Sequence, residues 1–192
     1  MLFLASSSPR RQELLRAANL DYQLITPGPE VEGSGVPIEL AVQRAHSKAL
    51  GAPWAPELGA GFVLGSDTVV ELGGVEFGKA ADRAEALRML LQLGGFEHQV
   101  HTAFALVERP SGRVVEGVVT SRVSLPSREP SELMAWLDSG GWRGKAGAYG
   151  LQDPECAATL IAGDRNAVIG LPVEAVCVAL EQCRRGLGGN PS

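Results

Sequence analysis

Short apolar segments alternate along this chain with amphipathic segments of helical period. MLFLA and YQLIT have the composition of buried strands, and the segment between them predicts a helix from Pro9 to about Ala18. A strand, a helix and a second strand in this order are typical of sheets covered by helices. The alternation therefore predicts an α/β fold with a mixed, twisted sheet and flanking helices.

The alternation continues along the chain with no internal repeat and no long linker. Further helices are predicted in IELAVQRAHSKAL, DRAEALRMLLQL, EPSELMAWLDS and LPVEAVCVALEQCRRG, and further strands in HQVHTAFALVE, GRVVEGVVTSRVSL, ATLIAG and NAVIGL. Polar residues interrupt the apolar segment FVLGSDTVVEL, so we expect two strands with a break at Ser66 and Asp67, and then a hairpin at Gly73 and Gly74. One domain over residues 1–185 and a flexible tail over 186–192 are expected.

The composition is that of a folded domain with an acidic balance. Of the 192 residues, 45% are hydrophobic, which is enough for a core, and the formal net charge is −5. This charge argues against a broad basic surface for nucleic acids but leaves room for a local cationic pocket. The apolar start is only a few residues long, which argues against a signal peptide or membrane span and favours a cytoplasmic protein. Cys156, Cys177 and Cys183 lack CxxC spacing, which favours reduced core thiols over a zinc site.

The start of the first predicted helix carries positive charge that is unfavourable unless an anion lies beside it. Ser8 and Pro9 suit the cap and the first position of a helix, and Arg10 and Arg11 follow them. A helix N-terminus carries roughly half a positive charge and favours acidic side chains, so two arginines there are unfavourable unless an anion offsets them. The sequence therefore predicts an anionic ligand at this helix start.

Several other ionisable residues stand on loops and at the ends of elements. Asp67 lies inside a strongly apolar segment, where an unpaired carboxylate is costly, so it needs a metal, hydrogen bonds or a cation beside it. Each of the other ionisable residues, taken alone, is typical of a solvent-exposed position. Together, cations that bind phosphate oxygens and acids that hold a metal and activate water indicate a polyphosphate site with a divalent cation, for which a nucleoside triphosphate is the natural ligand. The set is Arg10, Arg11, Glu32, Lys48, Asp67, Lys79 and Lys145.

Several ordered motifs resemble those of the Maf nucleotide pyrophosphatases, also described as septum-formation inhibitor-like proteins. They extend from Leu4 to about Leu180 and comprise ASSSPRRQELL, the acidic loop ending at Glu32, RAHSKA, GSDTVV, EFGKA, GGFEHQVHTA, GKAGAYGLQ and NAVIGLP. The resemblance implies the Maf/ITPase-like α/β fold, an elongated two-lobed molecule with a central cleft. It also implies hydrolysis of a nucleoside triphosphate to the monophosphate and pyrophosphate, a house-cleaning activity with a link to cell division arrest.

The resemblance further implies roles for individual residues in catalysis. Asp67 matches the aspartate taken as the general base of the family, and together with Glu32 it would hold a divalent cation, Mg²⁺ or Mn²⁺. The residues that would bind the triphosphate are Ser8, Arg11, Lys48, Lys79 and Lys145.

A second set of matched residues implies the base. Members with arginine after SP, threonine after GSD and glutamine after YG-apolar resemble the dTTP/UTP enzymes, and here these residues are Arg10, Thr68 and Gln152. They would read a pyrimidine, canonical or modified. The acidic loop departs from the usual Asp–Glu pair and reads Glu30–Glu32, so both glutamates stay open as the second carboxylate. Ala80 stands where a proline is usual.

Two other classes of function compete with the enzyme. One is a nucleotide-binding regulator of septum formation with little turnover, which pyrophosphate release from UTP would distinguish. The other, a single-stranded nucleic-acid binder, is disfavoured by the acidic balance and by the 5% aromatic content. The expected partner is a pyrimidine nucleoside triphosphate, with no nucleic acid and no membrane, and a homodimer is what the resemblance implies.

Overall fold

A mixed sheet with helices on it is the architecture of the computed structural model, which describes residues 1–31, 33 and 35–187. The strands in these residues are β1 (Leu2–Ala5), β2 (Gln23–Ile25), β3 (Gly61–Leu72), β4 (Val75–Phe77), β5 (Glu97–Arg109), β6 (Val114–Ser124) and β7 (Thr159–Ala162). The helices are α1 (Pro9–Ala17), α2 (Pro37–Leu50), α3 (Arg83–Leu93), α4 (Pro130–Ser139), α5 (Arg165–Ile169) and α6 (Val173–Leu187). The predicted α/β class is confirmed.

The sheet combines a parallel and an antiparallel part. Its strand order is β2-β1-β3-β5-β6-β7, and β4 pairs with β3. β1 is parallel to β2 and β3, as the strand-helix-strand opening requires, and all other pairs are antiparallel. Short turns join β3 to β4, at the predicted Gly73 and Gly74, and β5 to β6. The expectation of a mixed sheet is therefore confirmed.

β3 and β5 form a long ladder at the centre of the sheet, with eleven aligned residue pairs. Both strands contribute side chains to each of the four hydrophobic clusters. Val70 and Val100 belong to a cluster that also contains α3 and α4, whereas Leu64 and Leu106 belong to a cluster with α1 and α6. The two largest clusters thus lie at opposite ends of one strand pair, and we call them the α3–α4 half and the α1–α6 half.

The break predicted inside the GSDT segment is absent, because β3 runs without interruption through it. Ser66 donates its hydroxyl to the Ala103 carbonyl at 2.8 Å, and Asp67 accepts from the Lys48 ammonium at 2.5 Å. Since both polar side chains have partners, the backbone can keep its place in the sheet. The prediction of two strands was wrong: the polar residues mark a site on one strand.

The segment NAVIGL, predicted as a strand, forms the short helix α5 instead. The Asp164 side chain accepts from the Asn166 amide at 2.7 Å and caps this helix. A short apolar run does not distinguish a strand from one buried turn of helix, and the acidic cap decides between them. The helix ends at Gly170, whose carbonyl becomes part of the site described below.

The C-terminal helix α6 extends to Leu187, two residues beyond the domain boundary expected at 185. Residues 188–192, most of the predicted tail, lie outside the described part of the chain. Over the ranges that the structure describes, no helix combines the length and apolar character that crossing a bilayer requires.

Candidate active site

One cleft of about 330 Å³ is lined by residues from both halves of the molecule. A cavity of this size suits a small-molecule ligand. Nine of the ten site residues predicted from the sequence line this cleft, and the tenth, Glu32, lies outside the described residues. The nine are Ser8, Arg10, Arg11, Lys48, Asp67, Thr68, Lys79, Lys145 and Gln152.

A buried ion pair joins α2 to the sheet at the bottom of the cleft. Lys48 Nζ lies 2.5 Å from Asp67 Oδ1, and the two residues are only 4% and 7% exposed. The helix approaches the strand closely here, because a Cβ at Gly65 would lie 2.3 Å from the Ala45 carbonyl oxygen, so glycine is needed. No described residue donates a hydrogen bond to the second oxygen, Asp67 Oδ2. That oxygen is therefore available to accept a proton.

Glu30 brings a second carboxylate to the same lysine. Its Oε1 lies 3.0 Å from Lys48 Nζ and 3.9 Å from Lys79 Nζ. Burial disfavours the charged form of Glu30, but the hydrogen bond and the charge of Lys48 outweigh this and lower its pKa. Of the two glutamates left open by the sequence, Glu30 is thus seen at the cleft, whereas Glu32 is outside the described residues.

The two arginines of α1 extend in different directions. Arg11 Nε donates to the Gly170 carbonyl at 2.8 Å, and Arg10 Nη2 donates to the Gly144 carbonyl at 2.8 Å. Burial lowers the pKa of Arg11 while the Asp67 carboxylate opposes this, and burial lowers the pKa of Arg10 against the charge of Asp153. Both guanidinium groups stay cationic. One helix start thus supplies positive charge to two sides of the cleft.

Ser8 occupies the N-cap position of α1, as predicted, but its hydroxyl makes no capping hydrogen bond. Pro9 at the first helical position has no N–H, so the first amides that need partners belong to Arg10 and Arg11. The expectation that the Ser8 hydroxyl caps this helix was wrong. Arg10 and Arg11 both line the cleft, and the Ser8 side chain does not cap their amides.

Thr68 follows Asp67 on β3 and lies beside Thr102 of β5. Their hydroxyl oxygens are 3.0 Å apart, and Thr102 also lies 2.7 Å from the Ala167 carbonyl, to which it donates. Because a hydroxyl has one proton, Thr68 is the donor in its contact with Thr102. Thr68 therefore offers oxygen lone pairs, and no further proton, to a ligand.

The Gly-rich loop between α4 and β7 contributes a second lysine–aspartate pair. Lys145 donates to Asp153 Oδ2, and its ammonium lies 4.6 Å from the centroid of the Trp136 ring. Gln152 Nε2 donates to the same oxygen at 3.1 Å. Lys145 and Gln152 line the cleft, whereas Asp153 does not.

Two charged residues close to the cleft, one in contact with its lining and one a helical turn before Lys48, were not singled out from the sequence. One is Asp153, which resembles any solvated loop acid when read in sequence. The other is Arg44, which pairs with Glu76 on β4 and donates from Nε to the Val31 carbonyl at 3.2 Å. The hydrogen bond with Glu76 raises the pKa of Arg44. A signal for Arg44 existed, because it lies four residues before Lys48 and hence on the same face of α2.

The chain matches the family model described as Maf-like protein over residues 1–183. A protein of Bordetella pertussis named dTTP/UTP pyrophosphatase is 44% identical over 185 residues, covering 90% of this chain and 87% of that protein. Proteins with the same name from Chlorobium phaeovibrioides and Thermococcus gammatolerans are 38% and 36% identical. The aligned regions cover 95% and 92% of this chain, and 97% and 93% of the two relatives. With matches of this extent, and with the predicted residues gathered in one cleft, the chain belongs to the Maf-like protein family.

Proposed function

We propose that this protein is a nucleoside triphosphate pyrophosphatase that hydrolyses dTTP and UTP to the monophosphate and pyrophosphate. The observation that carries the proposal is a cleft in which cations from α1, α2 and the segment after β4 surround the buried carboxylate of Asp67. A triphosphate is the kind of ligand whose charge matches such a set of cations. The name of the relatives, dTTP/UTP pyrophosphatase, supports these substrates.

Three cations bind the triphosphate in this proposal. Arg11 and Lys48 are held by fixed contacts inside the cleft, whereas Lys79 is 58% exposed and reaches in from its edge. The amides at the start of α1 offer further hydrogen bonds to a phosphate oxygen, since a helix N-terminus favours anions. Because these donors are in position before the substrate arrives, they stabilise the charge that develops on the leaving pyrophosphate.

Asp67 takes the proton of the attacking water. Its Oδ1 is held by Lys48, so Oδ2 is the oxygen that accepts the proton. The water oxygen forms a bond to phosphorus, the α–β phosphoanhydride bond breaks, and the electron pair leaves with pyrophosphate. General base catalysis of this kind contributes roughly a hundredfold to ten-thousandfold to the rate.

The site also suits a divalent cation. Across the described residues no cluster of three or more His, Cys, Asp or Glu side chains has the arrangement of a metal site. Asp67 and Glu30 nevertheless offer carboxylate oxygens at one place, the Lys48 ammonium, and such oxygens are the ligands that Mg²⁺ and Mn²⁺ prefer. We propose that Asp67 and a glutamate of the acidic loop, Glu30 or Glu32, hold the cation. When bound, the cation neutralises phosphate charge.

The base is read by Arg10, Thr68 and Gln152 in this proposal. All three line the cleft and all carry hydrogen-bonding groups. A site built to hydrogen-bond one base edge discriminates against bases that leave its polar groups unpaired, by about 10- to 100-fold in rate. UTP and dTTP are therefore the preferred substrates, CTP is poorer, and purine nucleotides are poor.

A nucleotide panel tests this function directly. Pyrophosphate and monophosphate are measured for UTP, dTTP, CTP, ATP, GTP and 7-methyl-GTP, with Mg²⁺ and with Mn²⁺. We expect UTP and dTTP to give equal amounts of both products and Asp67→Asn to give almost none. Release of orthophosphate, or equal consumption of UTP and GTP, would contradict the proposal. Tight UTP binding with no pyrophosphate from any nucleotide would favour the regulator of septum formation.

Two further features of the protein are part of this proposal. The three cysteines are free, which suits a reducing compartment such as the cytoplasm. A homodimer that acts on small nucleotides, with no nucleic acid or membrane as partner, is the expected form, and sedimentation of the protein with and without UTP tests it.

A further inference from the structure

Asp153 lies next to Gln152, which is proposed to read the base, but outside the lining of the cleft. Gln152 is exposed and lines the cleft, whereas Asp153 is partly buried and does not line it. The Oδ2 atom of Asp153 accepts from Gln152 Nε2 at 3.1 Å and also from the Lys145 ammonium. The same carboxylate oxygen therefore holds two cleft residues at once.

The loop backbone is shaped to allow this contact. A Cβ at Gly150 would lie 2.0 Å from Asp153 Oδ2 and 2.7 Å from Gln152 Nε2. A side chain at position 150 would thus have to displace both side-chain ends of the hydrogen bond. Lys145 is itself fixed by the Trp136 ring at 4.6 Å, which limits the freedom of the carboxylate. The Gln152–Asp153 contact is accordingly built into the loop.

This contact decides which group of the Gln152 amide is left for a ligand. An ionised carboxylate can only accept hydrogen bonds, so the amide nitrogen must face Asp153 and the carbonyl oxygen must be the other end. Within residues 1–31, 33 and 35–187, nothing donates to Gln152 Oε1. Gln152 therefore keeps its carbonyl oxygen free as an acceptor, while Asp153 takes up one of its two N–H groups.

An acceptor distinguishes the two classes of pyrimidine. Uracil and thymine carry a proton on N3, whereas N3 of cytosine is itself an acceptor. A carbonyl oxygen aimed at N3 accepts a hydrogen bond from uracil or thymine. With cytosine, the carbonyl oxygen and N3 are both acceptors, so no hydrogen bond forms. Guanine also carries a ring N–H, so a comparison with GTP does not isolate the effect of the Gln152 carbonyl oxygen. The comparison of UTP with CTP does.

We propose that Asp153 is a positioning residue for base selection, which fixes the Gln152 amide so that its carbonyl oxygen reads the N3 proton of uracil and thymine. The inference rests on the proposed hydrolysis of dTTP and UTP, and it adds a residue that does not touch the base. Its effect is on selectivity between nucleotides with the same triphosphate and ribose.

The test measures kcat/KM for UTP and for CTP with four variants, Asp153→Ala, Asp153→Asn, Gln152→Ala and the double variant Gln152→Ala with Asp153→Ala. Glu155→Gln is the matched control, because it removes one negative charge from an exposed side chain of the same loop. We expect Asp153→Ala to lower the UTP/CTP ratio about tenfold, Asp153→Asn to lower it less, and Glu155→Gln to leave it unchanged. In the Gln152→Ala background, Asp153→Ala should have no further effect on the ratio.

Each outcome separates this inference from the proposed function. If Gln152→Ala lowers the ratio and Asp153→Ala leaves it at the parent value, Gln152 reads the base without Asp153 and the inference is wrong. A drop of equal size in both Asp153→Ala and Glu155→Gln would show a general charge effect and also overturn it. If the parent protein releases no pyrophosphate from UTP, the proposed function itself fails. Thermal unfolding of each variant shows whether it still folds. If Asp153→Ala does not fold, the UTP/CTP ratio of Asp153→Asn tests the inference instead.

Discussion

Two lysine–aspartate pairs lie at the same cleft, but they are supported in different ways. Lys48 and Asp67 belong to a helix and a central strand, and packing buries both almost completely. Lys145 and Asp153 are eight residues apart in a Gly-rich loop, and the side chains keep 11% and 23% of their exposure. In the first pair the acid has a free oxygen at the cleft, whereas in the second the acid lies behind the cleft lining.

The difference indicates a division of tasks. An acid on the central strand is placed by the sheet itself, so its lysine can neutralise it and still leave one oxygen for chemistry. An acid on a loop needs its own contacts to keep the loop in place, so its oxygens are used for support. We therefore expect the first pair to control the rate and the fold, and the second to control substrate choice.

The largest expected effect is on turnover at the first pair. Asp67→Asn keeps the shape of the side chain but removes the base, so we expect UTP hydrolysis to fall about a thousandfold while nucleotide binding persists. The same change at the second pair, Asp153→Asn, should lower UTP hydrolysis by about tenfold at most. Single-turnover pyrophosphate release and calorimetric binding of UTP measure the two quantities. Equal losses at the two aspartates would remove the proposed division.

Stability provides the next contrast. Lys48→Met leaves Asp67 buried without its cation, so we expect the free energy of unfolding to fall by about 3–5 kcal/mol. Lys145→Met removes a partner from a partly exposed aspartate and a contact with Trp136, and we expect a loss of about 1 kcal/mol. Urea unfolding of both variants at one pH tests this. A loss at Lys145 as large as that at Lys48 would show that the loop pair is equally structural.

Cations outside the two lysine–aspartate pairs give a third, smaller contrast. Arg11 is held by the Gly170 carbonyl, so Arg11→Ala should reduce kcat/KM for UTP about a hundredfold. Lys79 is 58% exposed, and solvent screens its charge, so Lys79→Ala should reduce it only about fivefold. Steady-state kinetics at low and high salt distinguish the two, because only the exposed lysine should lose influence with salt.

The smallest effect is expected at Ser8. Its hydroxyl makes no capping bond, so Ser8→Ala should change the free energy of unfolding by less than about 0.5 kcal/mol. Asp82 is the control, because its side chain accepts from the Glu85 amide at 2.8 Å and caps α3. Asp82→Ala should cost about 1 kcal/mol. A loss at Ser8 equal to that at Asp82 would show that the serine does cap α1 in solution.

Much of the fold could be predicted because its elements have strong patterns. The apolar period of α2 and the long apolar, β-branched run of β5 each indicate one structure, and both were predicted correctly. The two errors have a common cause. In β3 and in α5, the local apolar pattern was the same for two structures; the contact of Asp67 with the distant Lys48 decided in β3, and the Asp164 cap decided in α5.

The members of the site could be predicted better than their contacts. Charged residues at loop ends and in apolar segments stand out in a sequence, and nine of the ten predicted residues line the cleft. The sequence did not indicate that Asp153 lies behind Gln152, because a loop acid at that position has no periodicity to reveal its direction. Support contacts of this kind depend on the path of the loop, which single-residue patterns do not contain.

Both halves of the molecule share the strands β3 and β5, and this affects how the molecule unfolds and how its cleft widens. Since β3 and β5 contribute to all four hydrophobic clusters, neither half can lose its core without exposing the backbone of the other. We expect one cooperative unfolding transition, with the slowest amide hydrogen exchange in the centre of these two strands. Any widening of the cleft should then involve twisting of the sheet, because β3 and β5 run without interruption through both of its sides.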